Sequence, residues 1–186
     1  MRSYIFDKKE KAVFDLIKNC VSTDHTREFL THVYYDGESL VATDGKRLVK
    51  VTSKKIVENL GEDLGYFNVT GNAIIEVACN QEYCNYKRVI PADSGTAFYI
   101  PVNAKTKKYN SEIFYAATCV YTGRVFNPEL LEGCSEVGFT NIYTNNISGL
   151  VKLSKKTNDY DVVFVTLPYI EKLFLKNEVN TIEKTA

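Results

Sequence analysis

Tryptophan is absent from this chain of 186 residues, histidine occurs twice, and 23 basic side chains cancel 23 acidic ones. Each shortage excludes something. Zero net charge argues against an open, charge-driven nucleic-acid binder, which carries a marked basic excess. His25 and His32 lack ligand spacing with Cys or carboxylate partners, so no metal site or other cofactor is expected. No run approaches the roughly 18 apolar residues that span a bilayer, so no membrane partner is expected. The N-terminal stretch places Asp7, Lys8, Lys9 and Glu10 where a signal peptide needs apolar residues, which implies a cytoplasmic protein. Neither a phosphate-cradling glycine-rich loop nor a paired-carboxylate motif stands out, and the expectation is a non-enzyme. The cysteines number five, odd and without a tight framework, which fits a reducing compartment. Cys79 and Cys84 have no second pair to complete a tetrahedral site, so buried structural thiols are expected there. No local motif supports a Cys–His nucleophile at Cys119 or Cys134.

What is present is ordinary for a globular protein: 45% hydrophobic and 25% charged residues, enough for one good core or two small ones. Tyr (13) and Phe (10) are plentiful, which suits β-sheet surfaces. Residues 2–6 predict a short strand. Residues 8–21 predict an amphipathic helix, with Val13, Leu16, Ile17, Cys20 and Val21 on one face. Residues 29–35 then predict a strand closed by Asp36-Gly37. Two further strands, 39–42 and 47–51, flank the hairpin signal Asp44-Gly45. Residues 54–64 suggest a short helix ending near Gly61 or Gly65, and 66–70 and 73–78 predict strands.

Residues 91–108 carry Pro91, Gly95, Pro101 and several lysines, and predict an irregular connector with one strand over 97–100. Residues 114–126 are strand-like, with a turn at Thr122-Gly123. Asn127-Pro128-Glu129 is a helix start, with Asn as cap, Pro at the first helical position and an acid in the first turn. Three strands are expected after it, at 140–144, 149–154 and 160–167, with turns at Asn145-Asn146 and at 155–159. The two halves share an order of elements, which suggests a duplicated architecture.

Three separated blocks carry more information than the pattern. They are Ala42-Thr43-Asp44-Gly45-Lys46-Arg47-Leu48, Asn85-Tyr86-Lys87-Arg88-Val89-Ile90-Pro91 and Val163-Phe164-Val165-Thr166-Leu167-Pro168. Taken singly, the first is what any hairpin needs and the third what any buried strand looks like; the second is the least generic. In this order they resemble segments of the bacterial DNA polymerase III beta subunit, the ring-shaped sliding clamp. The resemblance implies an α+β fold of DNA-clamp (processivity) type, with antiparallel sheets backed by two helices and room for two abbreviated clamp domains. Residues 1–53 resemble a first half-domain, 54–112 a last strand, linker and connector, and 113–170 a second half-domain. A tail, 171–186, follows. A standard clamp protomer has three full domains, whereas this chain has material for one full domain or two abbreviated ones.

By the same resemblance the three blocks line a peptide-binding pocket made by Thr43, Gly45, Lys46, Arg47 and Leu48, by Lys87, Arg88 and Val89, and by Val165, Leu167 and Pro168. The implied occupants are short peptides of a DNA polymerase or of other clamp-binding proteins. Double-stranded DNA is the second implied partner. Since one copy cannot encircle a duplex, a homo-oligomeric ring is expected, with positive charge needed only on its inner wall. Lys8, Lys11 and Lys18 are candidates to face that DNA; a solvated helix surface, interrupted by Glu10 and Asp15, is the plainer alternative. Two functions remain open: a clamp-like replication processivity factor, and a monomeric clamp-derived module or decoy that keeps the pocket without encircling DNA. Leu173-Phe174-Leu175 in the tail raises one further possibility, self-occupation of the pocket, against a terminal helix packed on the body.

Overall fold

The computed structural model describes residues 1–92, 107–139, 141–144 and 149–168, with the backbone alone for 107–110. Nine strands form one sheet: β1 (Ser3–Ile5), β2 (Val33–Tyr35), β3 (Ser39–Thr43), β4 (Arg47–Thr52), β5 (Gly65–Thr70), β6 (Ala73–Val77), β7 (Asn141–Thr144), β8 (Val151–Lys156) and β9 (Asp161–Thr166). Their order is β1-β6-β5-β2-β3-β4-β9-β8-β7 and every neighbouring pair is antiparallel. The expected α+β class therefore holds, as one continuous sheet. The strand at 97–100, the turn at Asn145-Asn146 and the tail lie outside the described residues.

Period-two alternation assigns the two faces. Leu40, Ala42, Val49, Val51, Val162 and Phe164 join the main core, beneath the helices. Val41, Leu48 and Val165 belong to a second, smaller cluster with Leu30, Tyr83 and Tyr86. β3 is buried at all five positions because both of its faces are covered. The main core is packed by α1 (Lys11–Cys20), whose Val13, Phe14, Leu16, Ile17 and Cys20 are buried at helical spacing. The helix begins three residues later than the sequence pattern predicts. Asp7 Oδ1 accepts from the backbone N–H groups of Lys9 and Glu10, which holds 8–10 in a turn that leaves Lys8 outside the helix. A short α2 (Lys54–Leu60) ends at Gly61, as expected.

Two segments with strand-like sequence are helical. Residues 107–122 form α3 (Lys107–Thr122), where the sequence predicts a connector and then a strand. Its β-branched and aromatic residues favour a strand only weakly, and tertiary burial overrides that preference. Phe114 and Thr118, one turn apart, are buried, and the Thr118 and Thr122 hydroxyls donate to the carbonyls of Phe114 and Thr118 at 2.8 and 2.6 Å. Residues 29–31 lie in the second of two 3-10 turns within His25–Thr31, which meet at a kink at Arg27 (φ −120°, ψ 70°) and leave only Val33–Tyr35 as strand. Asp24 caps the first of these turns by accepting from the Thr26 N–H at 3.0 Å. After α3, Asn127 caps the 3-10 turn Pro128–Leu131, and Gly133 (φ +85°) turns the chain into α4 (Cys134–Val137).

β4 and β9 form the seam between the amino- and carboxy-terminal parts of the chain, paired over six residues from Arg47↔Thr166 to Thr52↔Asp161. On either side the order reads outward as β4-β3-β2 and β9-β8-β7. Each trio follows a helix, α1 or α3, so helix-then-three-strands is repeated about the seam. The expected shared order thus begins at the helix rather than at a strand. The amino-terminal part alone continues the sheet, with β5, β6 and β1.

Candidate functional site

One cleft of about 310 Å³ opens across this seam, against the hairpin of β3 and β4. Its floor is the cross-strand pair Leu48 and Val165, 3% and 2% exposed, together with buried Leu30. Leu150 adds apolar surface from the carboxy-terminal side, and two half-exposed side chains, Val89 and Leu167, stand at its rim. All three sequence blocks border it: Thr43, Gly45, Lys46, Arg47 and Leu48 from the first, Asn85, Tyr86 and Val89 from the second, and Val165, Thr166 and Leu167 from the third.

The hairpin wall is fixed locally. Asp44 Oδ1 accepts from the N–H groups of Lys46 and Arg47, both at 2.9 Å, while the Thr43 hydroxyl donates to the Arg47 carbonyl at 2.7 Å. Gly45 takes φ +87°, a left-handed conformation that disfavours any side chain, and Arg27 Nη1 lies 3.1 Å from where a Cβ would sit. Arg47 borders the cleft, yet its guanidinium is engaged elsewhere. Nε donates to Asp44, Nη1 to the Glu129 carbonyl and Nη2 to the Asn19 carbonyl, at 3.1, 2.6 and 2.6 Å. It ties the hairpin to the end of α1 and to the 3-10 turn at Pro128–Leu131.

The second wall is a strap, and Tyr86–Val89 within it is one 3-10 turn, where the resemblance implies linker. The Tyr86 hydroxyl donates to the Asp36 carboxylate, which also accepts from the Ser39 and Glu38 N–H groups at 2.7 and 3.1 Å. Burial works to raise the Asp36 pKa, but these bonds and the nearby Lys87 ammonium outweigh it and hold the carboxyl below its ordinary value. Burial and the Asp36 charge push the Tyr86 phenol up. At the strap's far end the buried Lys152 of β8 donates to the Pro91 carbonyl at 3.0 Å. Upstream, Tyr83 stacks on Tyr34 of β2, with ring centroids 4.5 Å apart. The strap is thus pinned to both sides of the seam.

Lys87 and Arg88 are exposed and stand off the cleft lining, as does half-buried Pro168. Lys87 instead approaches Asp36 at 3.7 Å and lies over the Tyr86 ring. Arg27, Phe29, Leu30, Cys84 and Leu150 line the cleft without belonging to any of the three blocks. Only the apolar pair Phe29-Leu30 offered a sequence signal, and it lay in a segment with strand character. Lys8, Lys11 and Lys18 are exposed away from it, and Lys11 pairs with Asp15 at 2.6 Å.

The cysteines depart from expectation at two places. Cys84 is exposed and Cys79 half-buried, whereas Cys20 and Cys134 are buried in the main core. Burial pushes the thiols of Cys20 and Cys134 up in pKa, which disfavours the thiolate at both. Among the described residues, no group of three or more His, Cys, Asp or Glu is placed to hold a metal ion, and no helix is long and apolar enough to cross a membrane.

No protein-family model and no curated protein matches the chain. Among solved structures it is similar to the beta clamp of H. pylori in complex with diflunisal, with a TM-score of 0.50 and 12% identity, over 86% of this chain and 63% of that one. At that identity the likeness establishes the fold, which is clamp-like. The chain spans 63% of the length of the clamp it matches.

Proposed function

We propose that this protein is a sliding-clamp-like replication factor, a non-enzymatic scaffold that holds a short extended peptide of a DNA polymerase or other clamp user in the cleft at the β4–β9 seam. One observation carries the reading: in a clamp-like fold, three segments distant in sequence border a single apolar cleft. The chemistry suits anchoring of one or two apolar side chains on Leu48, Val165 and Leu30, within a polar rim. A ring of several copies would encircle duplex DNA, with Lys8, Lys11 and Lys18 as candidate contacts on its inner wall. Retention on nicked circular DNA, lost when the circle is linearised, tests this; equal retention on both forms contradicts encirclement.

Because the described residues of one copy build the cleft, a second reading is a monomeric clamp-derived module that occupies clamp partners without enclosing DNA. Sedimentation separates the two. A closed oligomer supports the ring, and a monomer at every concentration supports the module.

A further inference from the structure

The cleft is apolar at its floor and cationic at one end. Its lining includes Arg27, Lys46 and Arg47 and, among the described residues, no carboxylate. The three cations are not equivalent. Arg47 is spent on Asp44 and two backbone carbonyls. Arg27 shares only Nε with Asp24, at 3.1 Å and half exposed, and its Nη groups make no hydrogen bond among the described residues. Lys46 is exposed and forms no ion pair among them. Both line the cleft beside the hairpin turn, where Arg27 Nη1 lies over Gly45, the neighbour of Lys46 in the chain. The two acids bonded to this end are already committed: Asp24 accepts from Thr26 and Arg27, and Asp44 from Lys46, Arg47 and the Arg47 side chain.

We infer that the cleft selects a peptide segment that carries a carboxylate beside its apolar side chains, with the carboxylate held at the Arg27–Lys46 end. This rests on the peptide-cleft reading and adds the chemistry of the partner. Apolar burial supplies most of the affinity, while a solvent-facing carboxylate between two cations adds a smaller, salt-sensitive part. Glycine at position 45 contributes by leaving Arg27 its place over the turn.

Four fluorescein-labelled, end-capped peptides test it by polarisation with the full chain: a Ser-Leu-Leu-Phe-Ser core flanked by Asp on the amino side, by Asp on the carboxyl side, or by Asn at each place. One Asp peptide is expected to bind about fivefold tighter than its Asn twin at low salt, the gap closing toward 0.5 M salt. Lys46→Glu, on an exposed turn, should reverse the preference while the wild-type melting temperature is kept. Equal affinity for Asp and Asn peptides on both flanks would overturn this inference and leave the cleft reading standing. No binding by any of the four would overturn both.

Discussion

Arg47 and Leu167 border the same cleft and their side chains are held in opposite ways, one tethered and one free at the rim. Replacing Arg47 strands the Asn19 carbonyl and leaves Asp44 without its charge partner, both at partly buried positions, and frees the exposed Glu129 carbonyl. Arg47→Ala should therefore lower stability by about 2–3 kcal/mol, read as a fall in the urea midpoint at constant slope. Leu167 is 43% exposed at the rim. Leu167→Ala should leave stability within about 0.5 kcal/mol and weaken peptide binding about tenfold, as titrated by polarisation. Asp36 provides the pH test at this scale. Its carboxyl is held below the ordinary 3.8, so its contribution is complete above that value and is lost as pH falls through the lower folded-state value. Asp36→Asn should cost about 1–3 kcal/mol at pH 7. The gap to wild type should close as pH falls through that lower value, and a constant gap in chemical denaturation across that range would remove Asp36 from this role. The three blocks were legible as residues because turn chemistry and an unusual basic-aromatic stretch mark them. The tether of Arg47 was not, since its partners at Asn19 and Glu129 are backbone carbonyls that no side-chain pattern announces.

At the scale of elements, strands with clear alternation between turn signals were readable. The hairpin of β3 and β4 was placed within a residue at each end, because Asp44-Gly45 dictates the turn and Val49 and Val51 dictate the face. α3 was not readable. Its aromatic and β-branched residues carry strand preference, and only the environment beneath α4 and β7 makes Phe114 and Thr118 one buried face. The 3-10 turns within His25–Thr31 were not readable for a related reason: after the polar stretch 25–28, the apolar pair Phe29-Leu30 could begin a strand equally well. Gly45→Ala should destabilise the hairpin by about 1–2 kcal/mol through its φ of +87°. It should also displace Arg27, so thermal melting and the salt dependence of peptide affinity should change together.

For the whole molecule, the α+β class and the three strands that close each half were visible in the sequence, but the helix before the second trio and the way the parts join were not. Pairing of β4 with β9 is a contact between residues more than a hundred positions apart, and no local periodicity encodes it. Through that seam the main core runs from Tyr4 to Phe164 without interruption. Phe164→Ala should cost about 3–5 kcal/mol, with far-ultraviolet circular dichroism and tyrosine fluorescence unfolding in one coincident transition. Two separated transitions would mean that the parts on either side of the seam fold independently.

Because the cleft straddles the joint between β4 and β9, whatever sits in it touches both sides at once, with Leu48 on one flank and Val165 and Leu150 on the other. An occupant is therefore also a rivet. Seating it must tighten the joint as well as fill a groove, and slow amide exchange at Leu48 and Val165 would report its arrival even before its identity is known.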